Sequence, residues 1–371
     1  MRNLPQTYFP IPLETVEHLR NILSEYFEVG DTSIDVPADG YVRFRGRFIQ
    51  DLASCFNSLK EKFEEAGFTP IVRNDEGRTA VIAIPEVTVD TPANWPLAIT
   101  LFVATILSTM VVGASSARES ADAAFQLWRG WPFSLSIMLI LTAHELGHYF
   151  AARYHKVPVS PPYFIPLPSP LIGTMGAFIR LKGRPQNKRV LMDIGASGPL
   201  AGMIFAIPIL IIGLMTSEVG PLPTEPYLLE GNSILYFLTK LTIFQQVLPG
   251  NGMDVSLNQV AWAGWVGFLV TALNLMPLGQ LDGGHMAYVI FGQRAKQFFW
   301  PVIIALGALS LFTASTTWIV WIALLFFFGR VHAEPLDDVT ELDPRRRVIA
   351  IFTLVLFFLI FPPIPIQFIF P

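Results

Sequence analysis

From Pro132 to Ala152 the chain runs through 21 residues whose only charged or imidazole side chains are His144, Glu145 and His148. About 20 apolar residues are what a helix needs to cross a bilayer. Burying an acid and two imidazoles in such a run is costly enough to imply a function. Residues four apart on a helix share a face, so His144 and His148 can aim at one metal ion, with Glu145 beside it as a base. The competing reading is a chance five-residue pattern of ordinary core histidines. Three ionisable groups in one turn at membrane depth argue against it.

The remaining composition agrees. Of 371 residues 52% are hydrophobic and 15% charged, with mean hydropathy +0.49, a balance expected of a polytopic α-helical membrane protein. A single cysteine, Cys55, excludes an intramolecular disulfide and a cysteine-rich metal site, so metal ligands must come from His, Asp or Glu. Residues 1–94 hold 9 Lys+Arg against 15 Asp+Glu, and residues 95–371 hold 16 against 14. An acidic head argues against nucleic acid and against docking on anionic lipid. Met1 to Pro12 has neither the basic start nor the apolar run of a signal peptide, so the expected first translocation signal is the span near Trp95.

Residues 1–94 read as a small soluble α+β domain on the cytosolic side. Leu13 to Phe27 and Leu52 to Ala66 repeat apolar residues at helical spacing, Tyr41 to Phe48 alternates like a strand, and Phe68 to Arg73 with Thr79 to Ile84 reads as a hairpin around Asn74–Gly77. Nothing in this head looks catalytic, which leaves regulation or substrate gating.

Trp95–Gly113, Pro132–Ala152, Ile194–Ser217 and Val255–Pro277 qualify as spans. The 32 uncharged residues Phe298–Gly329 are too long for one upright span, and Val348–Phe361 is a last candidate. Positive charge settles the count. With 298–329 folded as a helical hairpin turning near 313–317, 13 Lys+Arg fall on one side against Arg118, Arg129 and Lys240 on the other. The expectation is about seven transmembrane helices, divided into a core over 95–295 and appended helices over 296–371.

Catalytic zinc usually keeps three protein ligands and one open position. Candidates for the third are His155, Asp193, Asp282 and His285. Spans two and four both run inward, so the cytosolic end of one, with His144 to His148, can meet the stretch Asn274 to Asp282 at the end of the other. Asp282 follows 27 uncharged residues from Val255, where a free carboxylate is costly and a metal compensates it. The other reading of Asp282 is a turn aspartate before Gly283-Gly284. His155, next to Lys156, fits a wet interfacial residue.

His144-Glu145-x-x-His148 joined to Asn274-x-x-Pro277-x-x-x-Leu281-Asp282-Gly283-Gly284 resembles the site-2 protease family of intramembrane zinc metallopeptidases, over about residues 95–295. Gly173 to Ile179 and Gly198-Pro199-Leu200-Ala201-Gly202 fit it too, and the acidic head and extra C-terminal spans look like its bacterial and plastid branch. The resemblance implies zinc on His144, His148 and Asp282, with Glu145 polarising the water that attacks a peptide bond in a transmembrane helix. It also implies that Asn274 hydrogen-bonds substrate or oxyanion, although an Asn capping a helix before Pro277 explains it nearly as well.

Five prolines between Pro161 and Pro170 forbid a helix, and Phe164 to Leu181 fits a short re-entrant β-hairpin beside the metal on which an unwound substrate segment adds as a strand. The alternative is a plain cytosolic loop. The implied partners are single-span or other transmembrane protein substrates and the lipid bilayer, not nucleic acid; no feature fixes an oligomeric state. The expected setting is a bacterial inner membrane with the active site toward the cytosol. The rival functions are a transport-type metal-binding membrane protein, which would need ionisable residues in several spans, and a catalytically silent scaffold, against which the intact Glu145 speaks.

Overall fold

The computed structural model describes residues 11–87, 91–117, 125–167, 171–313, 317–330 and 332–371. The leader reading for 1–10, Arg118, Pro168, Pro170 and the expected turn at 314–316 lie outside the described residues. The chain divides into two compact units, one of 1–91, 182–190 and 334–342, the other of 92–181, 191–333 and 343–371.

In the first unit, α1 (Leu13–Ser24) buries Val16, Leu19 and Leu23, one apolar stripe of a helix. β1 (Phe27–Ile34), β2 (Val42–Phe48), α2 (Leu52–Glu65), β3 (Thr69–Asp75) and β4 (Arg78–Ile84) follow, and the strands form an antiparallel sheet in the order β1-β2-β4-β3. Asp51 caps α2 by accepting the Ser54 amide at 3.1 Å. Glu76 (φ 53°) and Gly77 (φ 83°) turn the β3–β4 hairpin, the two positive-φ positions of a tight two-residue turn. The helical pattern expected through Phe27 stops at Ser24, because the polar sequence from Glu28 to Ser33 pairs with β2 as an edge strand instead.

Two segments from far along the chain lengthen this sheet. The Val72 amide donates to the Leu336 carbonyl at 2.8 Å and the Asp338 amide to the Val72 carbonyl at 3.1 Å. On the other side of 336–338, the Leu336 and Asp337 amides donate to Pro185 and Gln186 at 2.9 and 2.8 Å. Arg73 adds bonds to the Leu336 and Pro335 carbonyls at 2.9 and 3.0 Å, and Lys188 pairs with Asp338 at 3.2 Å. Leu336 packs into the same core as Phe56 and Phe63.

The second unit is helical: α3 (Trp95–Ser116), α4 (Trp131–Tyr154), the strands β5 (Tyr163–Pro166) and β6 (Thr174–Phe178), α5 (Lys188–Met215, whose first turn starts in the other unit), β7 (Glu218–Pro221), β8 (Tyr227–Glu230), α6 (Ile234–Phe244), β9 (Met253–Ser256), α7 (Gln259–Asn274), α8 (Asp282–Phe291), α9 (Phe299–Thr313), α10 (Thr317–Phe328), α11 (Pro344–Ile360) and β10 (Ile366–Ile369). Among the described residues three helical stretches are long and apolar enough to cross a membrane: 95–116, 188–215 and 282–313. Their surfaces carry Ile204, Met215, Leu311 and Phe312, the last 89% exposed, and α11 adds Val348 and Phe358. Helices apolar on every face need a solvent as apolar as themselves.

A small layer joins the helices at one end. β7 pairs with β9 and β8 with β10, and Lys240 is buried beneath them at 1% exposure. Its Nζ lies 3.7 Å from Glu230 and 3.6 Å from Asp254, over the Tyr236 ring whose hydroxyl donates to Glu230 at 2.8 Å. Lys240→Ala leaves two buried carboxylates without their cation. It should destabilise the fold by about 3–5 kcal/mol, read as a lower unfolding midpoint in detergent. Lys240→Met combined with Glu230→Gln and Asp254→Asn should recover most of the loss, and an unchanged midpoint in Lys240→Ala would remove the cluster from the stability account.

Candidate metal centre

α4 sets the site. Pro132 in its first turn suits a helix start, and the helix closes with Lys156 in the left-handed region (φ 55°), where the Val157 amide reaches back to Ala152 at 2.9 Å. Between these ends His144, Glu145 and His148 are buried on its inner face.

α7 ends at Asn274, and a tight connection through Pro277 and Gly279 (φ 52°) delivers Asp282 to the first residue of α8. A Cβ on Gly283 would stand 1.8 Å from the Leu275 carbonyl oxygen, and one on Gly284 2.4 Å from that of Gly279. The glycine pair therefore lets the first turn of α8 lie directly on the preceding backbone. Asp282 is not a solvent turn residue. Its carboxylate oxygens lie 3.2 Å from His144 Nε2 and 3.2 Å from His148 Nε2.

The two Nε2 atoms are themselves 3.2 Å apart. His148 Nδ1 donates to the Ile194 carbonyl at 2.7 Å, which leaves its Nε2 with a bare lone pair facing the other donors. Three lone-pair donors at this spacing match the edge of a tetrahedron about 3.3 Å long, the value for metal bonds of about 2.0–2.1 Å. The donor set fits zinc, and His144, His148 and Asp282 are the His/Cys/Asp/Glu group among the described residues able to hold a metal.

These residues border a cavity of about 190 Å³ also lined by Glu145, Asn274, His285 and the stretch Ala177–Ile179. His285 borders the cavity but stands outside the three-donor group, and its Nδ1 is buried without a hydrogen-bond partner.

α5 closes the site from the side with glycines. A Cβ on Gly198 would come within 2.0 Å of His148 Nε2, and one on Gly202 within 3.3 Å of the His144 ring. His155 and Asp193, weighed as metal ligands from sequence, bind each other at 2.9 Å. Nor is His155 a freely wetted residue. Arg346 from α11 clasps Asp193 with two bonds, at 2.8 and 2.7 Å, and is itself held by Asp343, the cap of α11. That hydrogen bond from Arg346 holds the Asp343 carboxyl down to about 2, so the cap stays ionised at neutral pH.

A His-x-x-x-His helix, a converging carboxylate and an adjacent glutamate define a zinc metalloprotease. Residues 132–314 match the model of peptidase family M50, in line with the resemblance to site-2 proteases. It is 27% identical to "Probable zinc metalloprotease EGY2, chloroplastic" of Oryza sativa subsp. indica over 377 residues, covering 96% of this chain and 68% of that one. The Arabidopsis thaliana protein of the same name is 26% identical over 96% of this chain and 66% of its own length. "Probable zinc metalloprotease EGY1, chloroplastic" of Arabidopsis thaliana is 30% identical over 63% of this chain and 43% of that one. No solved structure matches the chain.

These relatives correct one expectation. A bacterial inner membrane with the site facing the cytosol was expected, but the relatives are chloroplastic and point to a plastid membrane. The physical reason for the error is plain: hydropathy and Lys+Arg asymmetry report that a chain crosses a bilayer and in which sense, but not which bilayer.

Gly198→Ala tests the close packing of the site. The added methyl group would occupy the place of His148 Nε2, so zinc content of the purified protein should fall sharply, whereas Gly202→Ala, with 3.3 Å of clearance, should keep most of it. Equal zinc in both variants would mean that α5 does not hold the ring where it is described.

Proposed function

We propose that this zinc metalloprotease hydrolyses peptide bonds within or near transmembrane segments of membrane-protein substrates. The carrying observation is the meeting of His144, His148 and Asp282 at 3.2 Å spacings beside buried Glu145, in a unit of helices with apolar outer faces.

His144 and His148 from α4 and Asp282 from α8 would hold the metal. When bound, zinc would supply Lewis acidity. Glu145 takes the proton of the attacking water on its carboxylate and returns it to the leaving nitrogen. Asn274, on the cavity, offers a side-chain amide to the substrate backbone or to the developing oxyanion.

Substrate reaches the site as an extended strand. β5 and β6 form a two-stranded antiparallel pair, so the far edge of β6 has no strand partner among the described residues, and Ala177, Phe178 and Ile179 line the cavity. An unwound substrate segment can add to that edge. A re-entrant position for this hairpin is supported by its partners: Ser108, midway along α3, donates to the Leu167 carbonyl at 3.0 Å, and Trp262 of α7 donates to Leu171 at 2.9 Å. Gly173 lies so close to α3 that a Cβ would be 2.9 Å from the Thr109 Cα.

A seven-crossing arrangement is supported by polar ties at the ends of the helices. The end of α4 and the starts of α5 and α11 are tied by His155, Asp193 and Arg346. At the opposite ends, Trp318 at the start of α10 donates to the Pro363 carbonyl at 2.9 Å and β10 pairs with β8. We assign 1–94 to a soluble head, 95–295 to the protease core and 296–371 to appended spans. The substrates are single-span or other transmembrane proteins.

Glu145→Gln should abolish cleavage of a panel of single-span substrates while zinc stays bound, because the amide keeps the volume but cannot take a proton. Asp282→Ala and His148→Ala should both lower zinc content, and His285→Ala far less. Undiminished turnover in Glu145→Gln would favour a transport-type or catalytically silent metal-binding protein. For topology, cysteines at Lys182 and Gln293 should react with an impermeant thiol reagent from one side of the membrane, and one at Glu225 from the other. Labelling of all three from one side would sink the seven-span arrangement.

A further inference from the structure

Asp193 sits one residue before Ile194, whose carbonyl takes the proton of His148 Nδ1 at 2.7 Å. The same aspartate holds His155, seven residues past His148 on α4, at 2.9 Å. α4 is thereby fixed to α5 at two points two turns apart, and both points on α5 are adjacent residues. A slide or rotation of α5 moves the Ile194 carbonyl and the Asp193 carboxylate together. Such a shift would turn the His148 ring, because the hydrogen bond on one ring nitrogen sets where the other points.

Arg346 prevents that slide. Its planar fork takes both Asp193 oxygens, at 2.8 and 2.7 Å, a geometry that fixes orientation as well as distance. Asp343 grips the same guanidinium at 2.7 Å and caps α11 through the Arg346 amide at 3.1 Å. The Asp193 carboxylate thus has a cation, an imidazole and a fixed helix start around it, with 22% of its side chain exposed.

The positions of the two tie residues along the chain carry a further consequence. The segments 182–190 and 334–342 belong to the head unit: 336–338 bonds to Val72 of β3, and 185–186 bonds in turn to 336–337. Asp193 comes three residues after the first segment ends, and Arg346 four residues after the second. Each arm of the tie therefore lies within four residues of a segment held by the head.

We propose that Asp193 and Arg346 are positioning residues for His148, and that through them the state of the head's two connecting segments sets how well the metal centre binds zinc. This rests on the assignment of His148 as a zinc ligand. A head that grips both connectors holds Asp193 and Arg346 in register and the Ile194 carbonyl on His148. Releasing a connector loosens the tie and the ring with it. The head then regulates proteolysis by gating the metal centre along the chain itself.

The test is zinc affinity of the purified full-length chain in detergent, read by competition with a fluorescent chelator, alongside the thermal midpoint of the metal-free protein. Outer partners of metal-ligating histidines typically change affinity by about 10–100-fold. Asp193→Asn and Arg346→Ala should each weaken zinc binding about tenfold or more, Arg346→Lys should lose part of that, and the exchange Asp193→Arg with Arg346→Asp should restore some of it. Arg73→Ala, which frees the Pro335 and Leu336 carbonyls and the Glu334 carboxylate, should weaken zinc binding severalfold in the parent but add nothing in Arg346→Ala.

Unchanged zinc affinity in Asp193→Asn and Arg346→Ala, with only a lower midpoint, would make the tie purely structural and overturn the proposal. An Arg73→Ala effect that adds fully to that of Arg346→Ala would overturn the route from the head. His148→Ala serves as the control: if it keeps zinc, the ligand assignment itself has failed, and the tie has lost its object.

Discussion

Lone pairs on two imidazoles and a carboxylate, all 3.2 Å from one another, repel unless a cation shares them. That one constraint organises the protease unit. His148 cannot relieve the crowding by turning its other nitrogen inward, because Nδ1 is committed to the Ile194 carbonyl. Gly198 leaves the space the ring needs, and Gly283 with Gly284 lets α8 start hard against its own connection so that Asp282 arrives at the right depth. Each of these glycines sits where a methyl group would meet a backbone or ligand atom, so their conservation of space, not flexibility, is what the site uses.

The apolar surroundings raise the stakes. A metal centre among helices with lipid-like outer faces has little water to compensate an error in geometry, so polar groups are matched in closed sets. Asp193, His155 and Arg346 form one such set beside the site, and Glu230, Lys240, Asp254 and Tyr236 form another at the far end. The non-helical hairpin follows the same rule, with Ser108 and Trp262 supplying donors to its carbonyls.

Much of this was legible in the sequence where a pattern is local. The His144-Glu145-x-x-His148 spacing and the Asn274 to Gly284 stretch gave the two halves of the centre, and the strand alternation at Tyr41–Phe48 and the hairpin around Asn74–Gly77 gave three of the four strands of the head's sheet. What stayed hidden depends on partners distant in sequence. β1 was missed because an edge strand needs no apolar alternation on its open side. The main-chain bonds of 336–338 to β3 and to 185–186 leave no side-chain signature in the sequence. Arg346 looked like one more member of a positive cluster, and only its pairing with Asp193, 153 positions away, gives it a separate role.

The central claim is that one zinc is held by two histidines and one aspartate from helices far apart in sequence. X-ray absorption at the zinc edge of the metal-loaded protein tests it most directly, because multiple scattering counts imidazoles and the first shell gives ligand number and distance. Two imidazoles among four nitrogen or oxygen ligands at about 2.0–2.2 Å is the predicted result. A third imidazole, a sulfur at about 2.3 Å, or a six-coordinate oxygen shell would contradict it.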